Sequence, residues 1–340
     1  MKLNREDFLR TLEFVSAGLA SREFIQQSTC FVFVGGMIRT FNDEVSCSCE
    51  SPIEGEGAVP AKPILDLLRK MPEENILINI DEDTVVIKGK RKQATIRFEK
   101  DISLPVEEVE IPDEWTDLPD TFLDGIAAVA SCASKEESQL VLTCIHIDAN
   151  KIEACDRFQF AKYDLETGFD EPVLVRADTL KEVSSLGPIQ FCDTKSWIHF
   201  RNQFGVVYSL RKTLDLYPNL DHIYVEGGES TTLPLGLEEV VDRAKVFSSD
   251  KVDDDSVVVD MCDEFIVIEG NGAFGSYKEK VDSNYDGPGA RFLVAPDLLT
   301  RIGKHSRECF ISDDRLSAKI GRLWFVTCTE QEQKNDNGEK

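Results

Sequence analysis

Lys151 to Leu165 runs KIEACDRFQFAKYDL, and its reading decides the fold. Ile152 and Ala154 alternate with polar residues up to a tight Cys155-Asp156-Arg157 corner. Phe158, Phe160 and Tyr163 carry an apolar face away from it. Alternation on both arms is the period of half-buried strands, so the stretch predicts a β-corner. Alone, such a corner only holds a core. A second segment, TLDLYPNLDHIYV at Thr213–Val225, places a proline between apolar residues where a strand passes into a linker. It sets a functional reading of the corner beside the structural one.

Outward from the corner a unit recurs: an amphipathic helix, then several short strands. Helices are predicted over Arg5–Ser16, Ala61–Met71, Asp120–Ala133, Arg176–Leu186, Leu235–Ser248 and Pro296–His305. Apolar residues at helical spacing carry them: Leu9, Leu12 and Val15 in the first, Ile64, Leu67 and Leu68 in the second, Val240, Val241 and Ala244 in the fifth. Asp120, Asp178 and Pro63 or Pro296 suit first turns and caps. Strands fill the gaps, among them Leu140–Ile147, Thr95–Phe98 and Leu323–Cys328. Asp81-Glu82-Asp83, Asp148-Ala149-Asn150 and Asn202-Gln203 are turn signals. Two helix-and-strand units make one domain, and three domains fill the chain. Acidic, proline-bearing strips at Leu104–Trp115 and Tyr217–Gly228 mark the joints.

With 340 residues and 41% hydrophobic content, the chain can pack such cores. No run of about 18 apolar residues exists to span a membrane. The opening MKLNREDFLR is charged where a signal peptide is apolar, so a cytoplasmic protein is expected. Of ten cysteines only Cys47 and Cys49 are close, no C-x-x-C occurs and the four histidines are scattered. Reduced thiols follow, with no metal and no cofactor. The net charge of −25 disfavours nonspecific contact with DNA, except at a locally basic face.

Nothing in the sequence argues for a catalytic residue. P-loop, G-x-S-x-G and H-E-x-x-H motifs are absent. Gly270-Asn271-Gly272-Ala273-Phe274-Gly275 fits G-x-G-x-x-G, but Ser276–Val281 after it has strand character where a dinucleotide site needs a helix. A hairpin turn is expected there. Asp253-Asp254-Asp255 is a loop cluster in an acidic chain.

The corner and the later segment resemble a pair in the bacterial-type DNA sliding clamp, the β processivity factor of the replicative DNA polymerase. There T-D-G-H-R-L-A and F-P-D-Y-R-R-V-L-P line one hydrophobic pocket. Here Asp156, Ala161 and the Tyr217-Pro218 pair match, while the G-H-R does not. Met1-Lys2 with the first helix and Gly18–Arg22 resemble the clamp's opening helix and basic loop. Ala61–Pro72 is similar to V-P-A-R-K-F-F-D-I-C-R-G-L-P, Asn284-Tyr285-Asp286-Gly287 to T-Y-S-G, and Leu316–Ile320 and the last strand follow in order. The resemblance covers nearly the whole chain.

The resemblance implies an α+β fold of three repeated DNA-clamp domains, helices lining a central hole and antiparallel sheets outside. They would span 1–115, 116–226 and 227–329, before a disordered tail at 330–340. The function implied is a processivity factor without catalysis: a head-to-tail homodimer, placed by a clamp-loader ATPase, that encircles duplex DNA and tethers the polymerase. Arg22, Arg69, Lys70, Lys181, Arg243 and Lys304 would face the DNA without reading its sequence. Leu142, Cys155, Phe158, Phe160, Pro218, Ile223, Phe325 and Thr327 would wall a partner-peptide pocket, with Arg157 and His222 at its rim. Trp324 takes the place of Phe325 if the last strand shifts by one residue. Ile96 would meet Val246 and Phe247 of the second copy. Two other readings stand: a clamp-like scaffold that binds proteins without encircling DNA, and an α+β hydrolase with an unrecognised carboxylate site.

Overall fold

The computed structural model describes residues 1–105, 109–224, 227–248, 256–262, 264–283, 289–305, 307–312, 314–328 and 330–331. Asp253–Asp255, Asn284–Gly287 and 332–340 of the tail lie outside them. Among the described residues six α-helices are seen: α1 Arg5–Phe14, α2 Ala61–Lys70, α3 Phe122–Val129, α4 Ala177–Ser184, α5 Leu237–Ser248 and α6 Pro296–His305. All six coincide with the helices expected from periodicity, trimmed at the ends. Two compact units form, one of 1–127, 144–149 and 166–215, the other of 128–143, 150–165 and 216–340.

In the first unit, Asn4 caps α1 by accepting from the backbone N–H of Glu6 and Asp7 at 2.9 and 3.1 Å. Phe8 and Leu12 are the buried face of this helix, and Val15 follows in a 3₁₀ turn; Leu9 is only half-buried. In α2 the core face is Ile64, Leu65 and Leu68, with Leu67 half-buried. The differences are shifts of one position in α1, Leu9 to Phe8, and of two in α2, Leu67 to Leu65, which a short apolar run does not fix.

An eight-stranded antiparallel sheet orders Gly57–Pro60, Cys30–Val34, Met37–Phe41, Val45–Glu50, Val207–Arg211, Trp197–Asn202, Pro188–Asp193 and Thr116–Asp117. Two four-stranded halves meet where Val207–Arg211 pairs Val45–Glu50. A smaller sheet orders Lys2–Asn4, Asn75–Ile80, Thr84–Lys88 and Gln93–Arg97. Among the described residues of these named sheets, Gln93–Arg97 keeps one unpaired edge.

His199 is fully buried in the large sheet, its Nδ1 2.8 Å from Ser209 Oγ and its Nε2 3.1 Å from Thr194 Oγ1. This is a satisfied core histidine, closed to substrate. Burial, with Lys212 nearby, pushes its pKa down to about 4. An unfolded imidazole titrates near ~6.5. The depressed folded value means stability is complete above that pH and falls as pH drops toward 4, by up to about 3 kcal/mol. His199→Asn is expected to show a shallower loss of denaturant stability between pH 7 and pH 4 than the parent. Equal slopes would contradict the assignment.

In the second unit, strands run in the order Lys151–Cys155, Gln159–Asp164, Leu323–Cys328, Arg315–Ile320, Glu308–Ile311 and Glu229–Thr232. The second sheet orders Gly275–Asp282, Phe265–Gly272, Val257–Cys262, Ala290–Val294 and Glu330–Gln331. The Gly270–Gly275 motif is the expected hairpin, with Gly272 opposite Gly275. Gly270 is required because α5 crosses there: a Cβ would stand 2.0 Å from the Ala244 carbonyl oxygen. Val240, Val241 and Ala244 are buried, as their spacing predicts.

The segment 137–143, expected as part of a strand from Leu140, is a kinked 3₁₀ stretch, and the strand begins at Cys144. All ten cysteines are free thiols. No described helix is long and apolar enough to cross a membrane.

Candidate functional site

The corner after Cys155 is built by Asp156. Its Oδ1 accepts from the backbone N–H of Phe158 at 2.6 Å and of Gln159 at 2.7 Å, and its Oδ2 from Gln159 Nε2 at 2.8 Å. An aspartate folded onto the N–H groups two and three residues on is a strong turn former. The turn pushes Phe158 outward, 51% exposed, while its carbonyl accepts from Cys328 N–H at 2.7 Å. Arg157 meets both oxygens of Glu136 at 2.7 Å.

Across the next three strands, Cys155 pairs Phe160, Phe160 pairs Val326 and Lys162 pairs Trp324. Paired residues share a sheet face. Cys155, Phe160, Trp324 and Val326 therefore stand together, joined by Leu220 and Tyr224 of the later segment and fringed by Leu142, Tyr217 and Ile223. Tyr217 donates to Cys155 Sγ at 3.3 Å. Burial pushes the Cys155 thiol up to about 11, so it is not a nucleophile at neutral pH. Lys151 holds the segment through Asp221 at 2.9 Å, and Arg315 Nη1 reaches the Ile223 carbonyl at 3.4 Å.

Leu142, Cys155, Phe160 and Ile223 thus come together in one apolar cluster, with Phe158 and Arg157 exposed at its corner. Pro218 and His222 are exposed on the segment beside it. Phe325 and Thr327 do not join: they pair Ala161 and Gln159 and lie on the opposite face of the sheet. Trp324 and Val326 take their place. Trp324, the one-residue alternative for the last strand, lies on the Phe160 face. Leu220, Tyr224 and Val326 were not anticipated; counting by twos from the Phe160 pairing would have found Val326.

The six candidate cations are all exposed. Arg69 is engaged by Glu13 through two hydrogen bonds of 3.1 and 3.0 Å. Arg243 is engaged by Glu279 at 2.9 and 3.0 Å and by the Tyr277 hydroxyl at 2.9 Å. Among the described residues, Arg22, Lys70, Lys181 and Lys304 have no ion-pair partner.

Of the candidate interface residues, Val246 is 69% exposed and Phe247 is half-buried, its ring stacked 6.0 Å from Tyr277. Ile96 is 9% exposed and belongs to the core of its sheet. Among the described residues of the named sheets, Gly275–Asp282 pairs only Phe265–Gly272, leaving one edge open.

No family model matches the chain, and no curated protein matches it in sequence. Solved structures do. The β chain of DNA polymerase III from Streptococcus pneumoniae superposes with a TM-score of 0.85 at 17% identity, over 97% of this chain and 99% of that one. This is the sliding-clamp fold. The β subunit from Streptococcus pyogenes gives 0.84 at 19% identity, over 97% and 99% of the two chains. A sliding clamp from Pseudomonas aeruginosa, solved with griselimycin bound, gives 0.82 at 15%, over 98% and 99%. Each match runs over nearly the full length of both chains.

Proposed function

We propose that this chain is a DNA sliding clamp: a ring that encircles duplex DNA and tethers the replicative polymerase. The observation that carries the reading is the clamp fold over 97% of the chain and 99% of the Streptococcus pneumoniae β chain. The three domains would be 1–115, 116–226 and 227–329, in a head-to-tail pair of chains placed by a separate ATPase. The work is topological and not chemical. A closed ring needs only weak phosphate contacts, and tethering raises the local concentration of polymerase at the primer end. Open edges at Gln93–Arg97 and Gly275–Asp282 support closure, since each can pair with a strand of a second copy. Negative-stain images test the reading: a central hole is expected, and particles without one would overturn it.

Arg22, Lys70, Lys181 and Lys304 are the cations best placed to meet phosphates, having no acidic partner among the described residues. Changing all four to glutamate is expected to shorten retention on closed circular DNA. It should also flatten the log–log salt dependence of DNA contact by up to about 4 units, near 0.9 for each phosphate lost. Arg69 and Arg243 should matter less, because Glu13 and Glu279 already neutralise them. Unchanged retention in the quadruple variant would remove these residues from the DNA face.

A net charge of −25 and those two neutralised arginines favour one other reading, a scaffold with this fold that binds proteins without encircling DNA. Failure to remain on a loaded circle, with peptide binding intact, would select it.

A further inference from the structure

The corner at Asp156 has a counterpart in the first unit. Asn42 N–H donates to the Val45 carbonyl at 3.1 Å, as Asp156 N–H does to that of Gln159 at 3.0 Å. Asn42 Oδ1 accepts from the N–H of Glu44 at 3.1 Å and of Val45 at 2.8 Å. An asparagine folded onto the N–H groups two and three residues on makes the same turn as an aspartate. Phe41, just before the turn, belongs to an apolar cluster that Leu104 and Val109 of the first proline-bearing strip join. Cys155, Leu220 and Tyr224 stand in the same relation. The tips differ. Where the second unit exposes Arg157 and Phe158, the first exposes Asp43 and Glu44.

Beside these two carboxylates lies an open cavity of about 600 Å³, within the span of ligand sites at roughly 300–1,000 Å³. Leu19, Phe24 and Ile25 give it apolar walls, and Ser28 lines it with Asp43 and Glu44. Its lining holds no Lys or Arg, and Arg22 of the same loop is outside it. Phe24 is 83% exposed. Ser28 is 1% exposed, yet its hydroxyl has no hydrogen-bond partner. A buried hydroxyl left unpaired is costly, so it marks a place where a polar group of a ligand fits. Asp43 is engaged by Arg211 at 2.6 Å, while Glu44 stands 3.9 Å from Arg176 Nε, too far for a hydrogen bond.

The loop that forms the wall is fixed in advance. Ala20 N–H donates to the Ser28 carbonyl at 2.9 Å. Gln27 Nε2 donates to Glu99 at 3.1 Å and to the Asp101 carbonyl at 2.7 Å, and Gln27 Oε1 accepts from the N–H of Ser103 at 2.8 Å and of Leu104 at 3.3 Å. Glu23 accepts from Gln27 N–H at 2.7 Å, which turns its carboxylate into the loop. A preformed wall lowers the ordering cost of binding.

We propose that this cavity takes an arginine side chain presented by a peptide of a partner protein. Arginine matches the lining part by part. Its aliphatic stem suits Leu19 and Ile25, its guanidinium suits the Phe24 ring and the Glu44 carboxylate, and one of its N–H donors satisfies Ser28. A nucleic-acid phosphate is repelled by the same carboxylates. The cavity exceeds one side chain, which favours a peptide over a free amino acid. The site lies wholly in the first unit and does not depend on the cluster around Phe160.

The test uses the full chain and two fluorescein-labelled nonapeptides, identical Gly-Ser chains with a central Leu-Arg pair or its uncharged counterpart, Leu-citrulline. Anisotropy at low salt is expected to give about five-fold tighter binding of the arginine peptide, the scale of one favourable exposed ion pair. Glu44→Gln should abolish that preference. Phe24→Ala, at an exposed residue, should weaken both peptides and leave the melting temperature unchanged. Ser28→Ala should weaken the arginine peptide about five-fold with no fall in melting temperature, because it removes an unpaired buried hydroxyl. A serine with a purely structural role would lower the melting temperature instead, which would count against the site. The chain carrying Phe158→Ala and Ile223→Ala is the control and should bind both peptides as the parent does. Equal binding of the two peptides by the parent, a preference that survives Glu44→Gln, or loss of binding in the control overturns the proposal. Free arginine competing as well as the peptide would make the ligand a small molecule and overturn the peptide.

Discussion

Glutamate at both Val246 and Phe247 is expected to turn a dimer of this chain into monomers, raising the dimer Kd by at least about 100-fold. The last turn of α5 carries both residues, and Phe247 stacks on Tyr277 of the open-edged strand Gly275–Asp282. An open strand edge flanked by exposed apolar side chains is an association surface. Pairing it with the other open edge, Gln93–Arg97, would join unlike surfaces of two copies, an arrangement that closes into a ring when the rotation permits. Burying a valine and much of a phenylalanine stabilises such a contact by a few kcal/mol, roughly 1.5 to 3 for each fully buried side chain. A carboxylate in the same place must be desolvated instead. Sedimentation velocity checks this: a parent chain that is monomeric at high concentration, or a variant that stays dimeric, would sink it. Ile96 is the wrong probe, because at 9% exposure Ile96→Glu would damage the core of its own sheet.

Ile96 shows why an open strand edge is hard to read in a sequence. Its strand, QATIR, has one strong apolar residue, and such a residue goes to the core of a sheet covered on one side. An edge offers backbone groups, which leave no mark in side-chain chemistry. The positions of the helices were legible, with ends off by up to four residues, since α1, α2 and α5 carry amphipathic periods that a strand does not satisfy. The last strand was not. LWFVTC is buried at five consecutive positions, so both faces are apolar and alternation cannot say which of Trp324 and Phe325 meets Phe160. Only the pairing with Gln159–Asp164 decides it. Leu220 and Tyr224 belong to a segment with neither helical nor strand period. Their inward direction depends on Lys151, Arg315 and Cys155, which hold that segment from distant parts of the chain.

Phe158→Ala combined with Ile223→Ala is expected to weaken binding of a fluorescein-labelled partner peptide with an apolar anchor by about 100-fold or more, as loss of two anchor contacts does. The melting temperature should fall by less than about 3 °C. Phe158 is 51% exposed and held outward by the Asp156 turn, so truncating it opens no cavity. Ile223 is half-buried at the fringe of the cluster, and its backbone keeps the Arg315 contact after truncation. Phe160 looks like the more direct target but cannot separate binding from folding. At 9% exposure, packed with Cys155, Leu220 and Trp324, its loss would cost about 3 to 5 kcal/mol of stability. The double variant keeps that layer intact and removes only the surface a peptide would cover. Calorimetry and anisotropy on the same preparations decide the matter. A large drop in melting temperature would make Phe158 and Ile223 part of the core, and unchanged affinity would move the peptide site off this face.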